Sequence, residues 1–221
     1  AVVTGTGGIG FQVALALARA GANVIVAGRN PLKGAAAVEQ VRQHVPFAHV
    51  RFGAVDLASL ESIEAFADTL RRSHGSLDLL VNNAGVGVVP AAAEESSIEQ
   101  AKAIFDTNFL GIVRMTRAVV PHMRRQGSGR IINIGSIIGV VPMPYVALYA
   151  ASKHAVEGYS EALDHELRTR GIRVSVIEPA FTKTQFEANN VEPDAKLPEY
   201  ELIRAKLNKV VTQAMEAGDS P

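Results

Sequence analysis

Thr4-Gly5-Thr6-Gly7-Gly8-Ile9-Gly10 follows the apolar pair Val2-Val3 and opens an Ala- and Leu-rich stretch, Ile9 to Ala20, that Gly21 stops. An apolar run, a glycine turn and a run of helix formers predict strand, tight turn and helix in that order. Gly5, Gly7 and Gly10 fit G-x-G-x-x-G. In that pattern the first glycine allows the turn, the second lets backbone approach a pyrophosphate, and the third lets helix and strand pack closely. The helix N-terminus adds an attraction for the anion. A glycine turn alone is common; its place between strand and helix makes this one a dinucleotide-binding signal.

Strand and helix patterns alternate through the rest of the chain. Val24 to Ala27, His49 to Val55, Leu77 to Val81, Arg130 to Ile134 and Ile172 to Ile177 read as strands. Val24-Ile25-Val26-Ala27 has the continuous apolar character of a strand covered on both faces. Helices are expected at Pro31 to Val45, Ser59 to Ser73, Ser97 to about Arg125 (long, with a bend), Tyr149 to Arg170 and Glu199 to Ala217. In the second of these, Leu60, Ile63, Phe66, Ala67 and Leu70 form the apolar face. The expectation is an α/β fold: one doubly wound parallel sheet, a Rossmann fold, with helices on both faces. Residues 1–221 make one such domain, with a substrate loop and helix near 184–217. The sheet is expected to start inside its first strand and to lack a seventh, so the native protein is expected to extend beyond both ends.

Composition narrows the function classes. The chain has 221 residues, 48% of them hydrophobic, enough for a substantial core. Lys+Arg and Asp+Glu both number 22, so no net field holds a nucleic-acid backbone. Without cysteine there is no disulfide, thiolate metal site or Cys nucleophile. The six histidines show no ligand spacing, so no catalytic metal is expected. No basic n-region with an apolar h-region opens the chain, and a cytoplasmic location is expected. Residues 131–152 carry no charge and are long enough to span a bilayer. Asn133, Gly135, Ser136, Gly139, Pro142 and Pro144 break any single helix there, so no membrane span is expected.

In doubly wound sheets ligands bind beyond the carboxyl ends of the strands. At the end of the second strand an NAD site usually holds Asp or Glu for the ribose 2′-OH. Here Ala27-Gly28 is followed by Arg29-Asn30 and then Lys33, without a carboxylate. A guanidinium can grip a 2′-phosphate bidentately, so NADP(H) is favoured over NAD(H). Asp56-Leu57 follows the third strand; Asp56 could accept from an adenine amino group or cap the helix starting near Ser59.

Tyr149 and Lys153 stand at i and i+4 of a helix and share a face. A free phenol titrates near 10, and a nearby ammonium lowers that value, so the pair can exchange a proton with an alcohol or carbonyl. Ser136, 13 residues before Tyr149, can hydrogen-bond the substrate oxygen. Asn82-Asn83-Ala84-Gly85 follows the fourth strand. Asn108 sits mid-helix, where Asn is unfavourable without a role; it either satisfies a local hydrogen bond or orients Lys153 through water.

Over nearly its whole length the chain resembles the short-chain dehydrogenase/reductase family. The resemblance rests on the Thr4-Gly5 and Gly8-Ile9-Gly10 loop, Asp56, Asn82-Asn83-Ala84-Gly85, Asn108, Ser136, Tyr149-x-x-x-Lys153 and Pro179…Thr184. It implies Tyr149 as catalytic acid/base, Lys153 lowering its pKa and binding the nicotinamide ribose, Ser136 positioning substrate and Asn108 sustaining a proton relay. It further implies cofactor contacts from Asn83, Ala84, Gly85, Thr182 and Thr184; with the readings above, the expected cofactor contacts are these and Gly5, Thr6, Gly7, Ile9, Gly10, Arg29, Asn30, Lys33, Asp56, Leu57, Ile134, Tyr149, Lys153 and Pro179. The first loop is one residue shorter than the family's T-G-x-x-x-G-x-G, Ala180 replaces a glycine after Pro179, and Gly135 replaces a second serine.

The function expected is NADP(H)-dependent hydride transfer between a secondary alcohol and a ketone. A non-catalytic NADP-binding sensor or scaffold is the alternative. Ile137, Ile138, Val141 and Met143 beside Ser136, with Phe181 and Phe186 opposite, suggest a lipophilic steroid-, retinoid- or aromatic-ketone-like substrate. The resemblance implies a homodimer or homotetramer through the helices near 97–125 and 149–170.

Overall fold

The computed structural model describes residues 1–184 and 190–220. Six parallel strands form one sheet: β1 (Val2–Thr4), β2 (Val24–Gly28), β3 (Val50–Ala54), β4 (Leu79–Asn82), β5 (Gly129–Ile134) and β6 (Ile172–Ile177). Their spatial order is β3-β2-β1-β4-β5-β6. The chain winds outward from β1 to β3, crosses to β4 and winds the other way. The reversal opens a crevice between the carboxyl ends of β1 and β4. Register fixes it: Val3 lies beside Val26 on one flank and Val81 on the other.

The helices are α1 (Gly8–Arg19), α2 (Pro31–His44), α3 (Leu60–Ser73), α4 (Ile98–Phe105), α5 (Gly111–Gln126), α6 (Ala147–Leu167) and α7 (Glu201–Ala217). Because strand side chains alternate, Val2 and Val3 feed different cores. Val2, Ile25, Leu80 and Ile131 pack against Phe66 of α3, Met115 and Val119 of α5, and Leu163 of α6. Val3, Val24, Val26 and Val81 pack against Ala14 and Leu15 of α1 and Val41 of α2. Each of these side chains larger than alanine contributes roughly 1.5–3 kcal/mol by leaving water.

Several expectations are corrected. Leu60 is 62% exposed, because it is the first residue of α3 and precedes the buried stripe. Ser59, not Asp56, caps α3, its hydroxyl accepting from Ser62 N at 3.2 Å. The long helix expected from Ser97 is three pieces: α4, a π-helical turn over Asp106–Leu110, and α5. The helix expected from Tyr149 to Arg170 begins at Ala147 and turns 3-10 at Arg168.

Asp164 ties the end of α6 to β6. Its carboxylate accepts from Val174 N at 2.9 Å and from the Nε of Arg173 at 3.0 Å, and pairs with Arg168 at 2.9 Å. The hydrogen bond from Arg173, then the Val174 amide, hold the Asp164 pKa down at about 2. A carboxylate whose folded pKa is depressed stabilises fully above its unfolded value and loses that contribution as pH falls through the folded one. Asp164→Asn is therefore expected to flatten the fall of the urea-unfolding midpoint between about pH 4 and pH 2.

Candidate active site

The crevice is built from the ends of β1 and β4. The Thr4 hydroxyl accepts from the backbone N–H of Asn83 at 2.9 Å and of Ala84 at 3.1 Å. The Asn83 side chain donates back to the Thr4 carbonyl at 2.9 Å. These bonds lock the glycine loop to the loop after β4. Gly5 turns with φ +95°, a conformation that favours glycine. A Cβ on Gly10 would run into the Asn83 amide and lie 2.9 Å from the Gly5 carbonyl oxygen. Space around Gly7 is open, and no side chain caps α1 above it. A cradle of open backbone below an uncapped helix N-terminus fits a pyrophosphate. Gly8, to which the sequence pattern gave no role, also has positive φ, +54°. Its Cβ position faces the Thr184 side chain at 3.3 Å, so the shortened loop lies directly under Thr184.

Arg29 and Lys33 are exposed beyond β2, and the Asn30 side chain is committed to capping α2. Asp56 accepts from Ala58 N at 3.1 Å beyond β3. Leu57 is fixed through its carbonyl, which accepts from Arg114 at 2.9 Å.

The π-helical turn explains the buried Asn108. Its Oδ1 accepts from Val86 N at 2.8 Å, and its Nδ2 donates to Val86 O at 2.9 Å and to the Ser152 hydroxyl at 3.2 Å. These hydrogen bonds run to distant segments rather than to local backbone. Asn108 clamps the loop containing Asn83, Ala84 and Gly85 against α6. Ser152 in turn donates to the Tyr149 carbonyl at 2.8 Å. Neither Val86 nor Ser152 carried a sequence signal, because their parts depend on where the π turn aims Asn108.

Ser136, Tyr149 and Lys153 come together. The Lys153 Nζ is buried, donates to the Ile134 carbonyl at 2.9 Å and lies 5.7 Å from the Tyr149 ring centroid. Burial pushes the Lys153 ammonium down to about 8, against the pull of Glu157. Burial also raises the Tyr149 phenol, and a hydrogen bond with Ser136 only partly opposes it. The direction is opposite to the lowering expected of the phenol, because desolvation dominates. Tyr145, four residues before Tyr149, holds φ +64°, a strained conformation for a non-glycine residue at the mouth of α6.

Ile137, Val141 and Phe181 stand exposed around this centre, with Ile138 and Met143 half-buried. Pro179 accepts from Ile137 N at 3.1 Å, holding the Ser136 turn to the segment after β6. Thr182 donates to the Ala180 carbonyl at 3.2 Å. Phe186 lies outside the described residues. On the far side, Glu95 is fully buried and accepts from Ala92 N and Leu197 N at 2.9 and 2.8 Å and from Arg204. This anchors the segment after residue 190 and the start of α7 beside the site. Among the described residues no cluster could hold a metal ion, and no helix is long and apolar enough to cross a membrane.

Comparison with known proteins agrees with this geometry. The family described as short chain dehydrogenase matches residues 1–195. A 3-ketodihydrosphingosine reductase of Bacteroides thetaiotaomicron is 41% identical over 140 residues, 63% of this chain and 52% of that protein. The chain therefore aligns with about half the length of that relative. The crystal structure of a short-chain dehydrogenase/reductase from Burkholderia phymatum in complex with NAD superposes with a TM-score of 0.84 at 28% identity, covering 98% of this chain and 79% of that one. An actinorhodin polyketide ketoreductase with NADPH superposes at 0.80 and 27% identity, covering 99% and 92%. The family match over residues 1–195 shows that the chain belongs to the short-chain dehydrogenases.

Proposed function

We propose that this oxidoreductase is an NADP(H)-dependent carbonyl reductase or secondary-alcohol dehydrogenase acting on a lipophilic substrate. The observation that carries the reading is the convergence of Ser136, Tyr149 and the buried Lys153 at the crevice where the glycine loop leaves backbone open. A dihydronicotinamide held there would supply hydride to a carbonyl carbon. Ser136 hydrogen-bonds the substrate oxygen, and the Tyr149 hydroxyl delivers the proton to that oxygen as negative charge develops on it. Lys153 favours the resulting phenolate. In the oxidative direction the phenolate takes the proton back.

The cofactor preference rests on Arg29 and the missing carboxylate after β2. Solved relatives are described with NAD and with NADPH, so the family alone does not choose. Arg29→Asp is expected to shift the NADPH/NADH ratio of kcat/KM by roughly 10- to 100-fold, the value of a charge-assisted hydrogen bond. An unchanged ratio would remove the preference.

The exposed apolar rim of Ile137, Val141 and Phe181 supports a lipophilic substrate. The Bacteroides relative is named a 3-ketodihydrosphingosine reductase, which agrees with a carbonyl substrate. A ketone and alcohol panel with both cofactors, followed at the nicotinamide absorbance band, tests substrate class and cofactor together. Self-association through α5 and α6, in a cytoplasmic enzyme, belongs to the same proposal; sedimentation velocity tests the association.

A further inference from the structure

Helix α6 carries a third ionisable residue in line with the first two. Tyr149, Lys153 and Glu157 stand at i, i+4 and i+8, one above another on the helix. The Glu157 Oε1 is buried and has no hydrogen-bond partner among the described residues. Its place is made by glycine. A Cβ on Gly135 would collide with the Glu157 Oε1, and a Cβ on Gly139 would lie 3.2 Å from the Glu157 Cγ. Gly135 and Gly139 bracket the Ser136 turn, so the carboxylate lies directly behind the residue that faces the substrate oxygen. Val176 of β6 closes the same space.

A buried carboxyl oxygen without a hydrogen bond is costly, and native structures rarely keep one without a reason. An apolar or amide side chain of the same size would fill the space at lower cost. What Glu157 supplies that these would not is negative charge. Lys153 needs it: the ammonium is buried, and its hydrogen bond to the Ile134 carbonyl offers a neutral acceptor.

We propose that Glu157 is a positioning residue whose carboxylate, seated behind the Ser136 turn in the space left by Gly135, is the counter-charge that keeps the Lys153 ammonium charged at neutral pH. Glu157 acts through Lys153 on Tyr149 and touches neither substrate nor cofactor. The proposal rests on the Tyr149–Lys153 reading given above.

Glu157 raises the Lys153 pKa against burial. The Glu157 carboxyl itself is raised above its ordinary value: burial first, then Glu178 beyond β6 and Glu161 on α6, push it up against the smaller pull of Lys153 and His154. Removing the charge at 157 leaves burial unopposed at Lys153, so the ammonium gives up its proton at lower pH.

The test titrates Lys153 in the full chain with isotope-labelled lysine by NMR, the Lys153 signal being assigned by its loss in Lys153→Met. In the wild type the midpoint is expected at about 8. Glu157→Gln is expected to lower it by roughly one pH unit, and Glu157→Asp to restore most of the difference. Should Glu157→Gln fail to fold, Gly135→Ala displaces the carboxylate with a methyl group and is expected to shift the midpoint the same way. The alkaline limb of kcat/KM for carbonyl reduction is expected to move down with it. A midpoint unchanged in these variants overturns the proposal, since a packing role would alter the melting temperature alone. A midpoint that shifts in these variants, with a wild-type chain that reduces no carbonyl compound, supports the Glu157–Lys153 coupling and overturns the reductase reading instead.

Discussion

Tyr149→Phe is expected to lower kcat/KM for carbonyl reduction by about 100- to 10,000-fold, the usual contribution of a positioned acid/base. The change deletes one oxygen. It leaves the ring, its place on α6 and the 5.7 Å approach of Lys153 to that ring. It also removes the hydrogen bond between the phenol and Ser136. Fold and nicotinamide binding should therefore survive while proton delivery is lost. Cofactor affinity, measured by fluorescence of the bound dihydronicotinamide, is expected to stay within a few-fold of the wild type. If turnover survives the substitution, the proton comes from elsewhere and the mechanism is wrong. If affinity and turnover fall together, Tyr149 is holding the site rather than reacting in it.

Gly10→Val is expected to remove cofactor binding while leaving the rest of the sheet in place. Even the first added carbon would meet the Asn83 amide and the Gly5 carbonyl. Asn83 cannot yield freely, because its side chain holds the Thr4 carbonyl and its backbone N–H the Thr4 hydroxyl. The loop must open or α1 must shift away from β1, and either change spoils the cradle above Gly7. Overpacking of this kind costs about 3 kcal/mol, roughly a hundredfold in an equilibrium constant. Thermal unfolding with and without NADPH separates the two effects. The wild type is expected to gain stability from the cofactor and Gly10→Val to gain almost none. An equal gain in both would mean that the pyrophosphate lies elsewhere.

The fold was legible because its periodicities are local. Continuous apolar runs such as Val24-Ile25-Val26-Ala27 can be covered on both faces only in a parallel sheet, and β2 is buried as that reading requires. Gly5 and Gly10 were readable because turn and close packing each exclude a side chain. What escaped depends on geometry between distant segments. The π turn inserts its extra backbone between α4 and α5 without any proline or glycine at its centre. Its effect, Asn108 spanning Val86 and Ser152, joins residues 22 and 44 positions away.

Electrostatics was the least legible part. Spacing placed Lys153 beside Tyr149 correctly, but it could not tell how deeply both are buried, and burial sets the direction of the phenol shift. Glu157 was invisible for a similar reason. A glutamate at i+4 from a lysine on a helix reads as a solvated ion pair until Gly135 and Val176 are seen to close over it.

The central claim, that the Ser136–Tyr149–Lys153 crevice carries out hydride transfer, is tested most directly by isotope transfer. NADPH deuterated at the reactive face of the nicotinamide is incubated with the protein and a reducible ketone from the panel, and the product is read by mass spectrometry. The account predicts one deuterium on the carbinol carbon of each alcohol formed, and loss of that product in Tyr149→Phe. Cofactor that binds to the wild-type chain yet keeps all its deuterium, with every ketone in the panel, would contradict it and point to a nucleotide-binding protein without turnover.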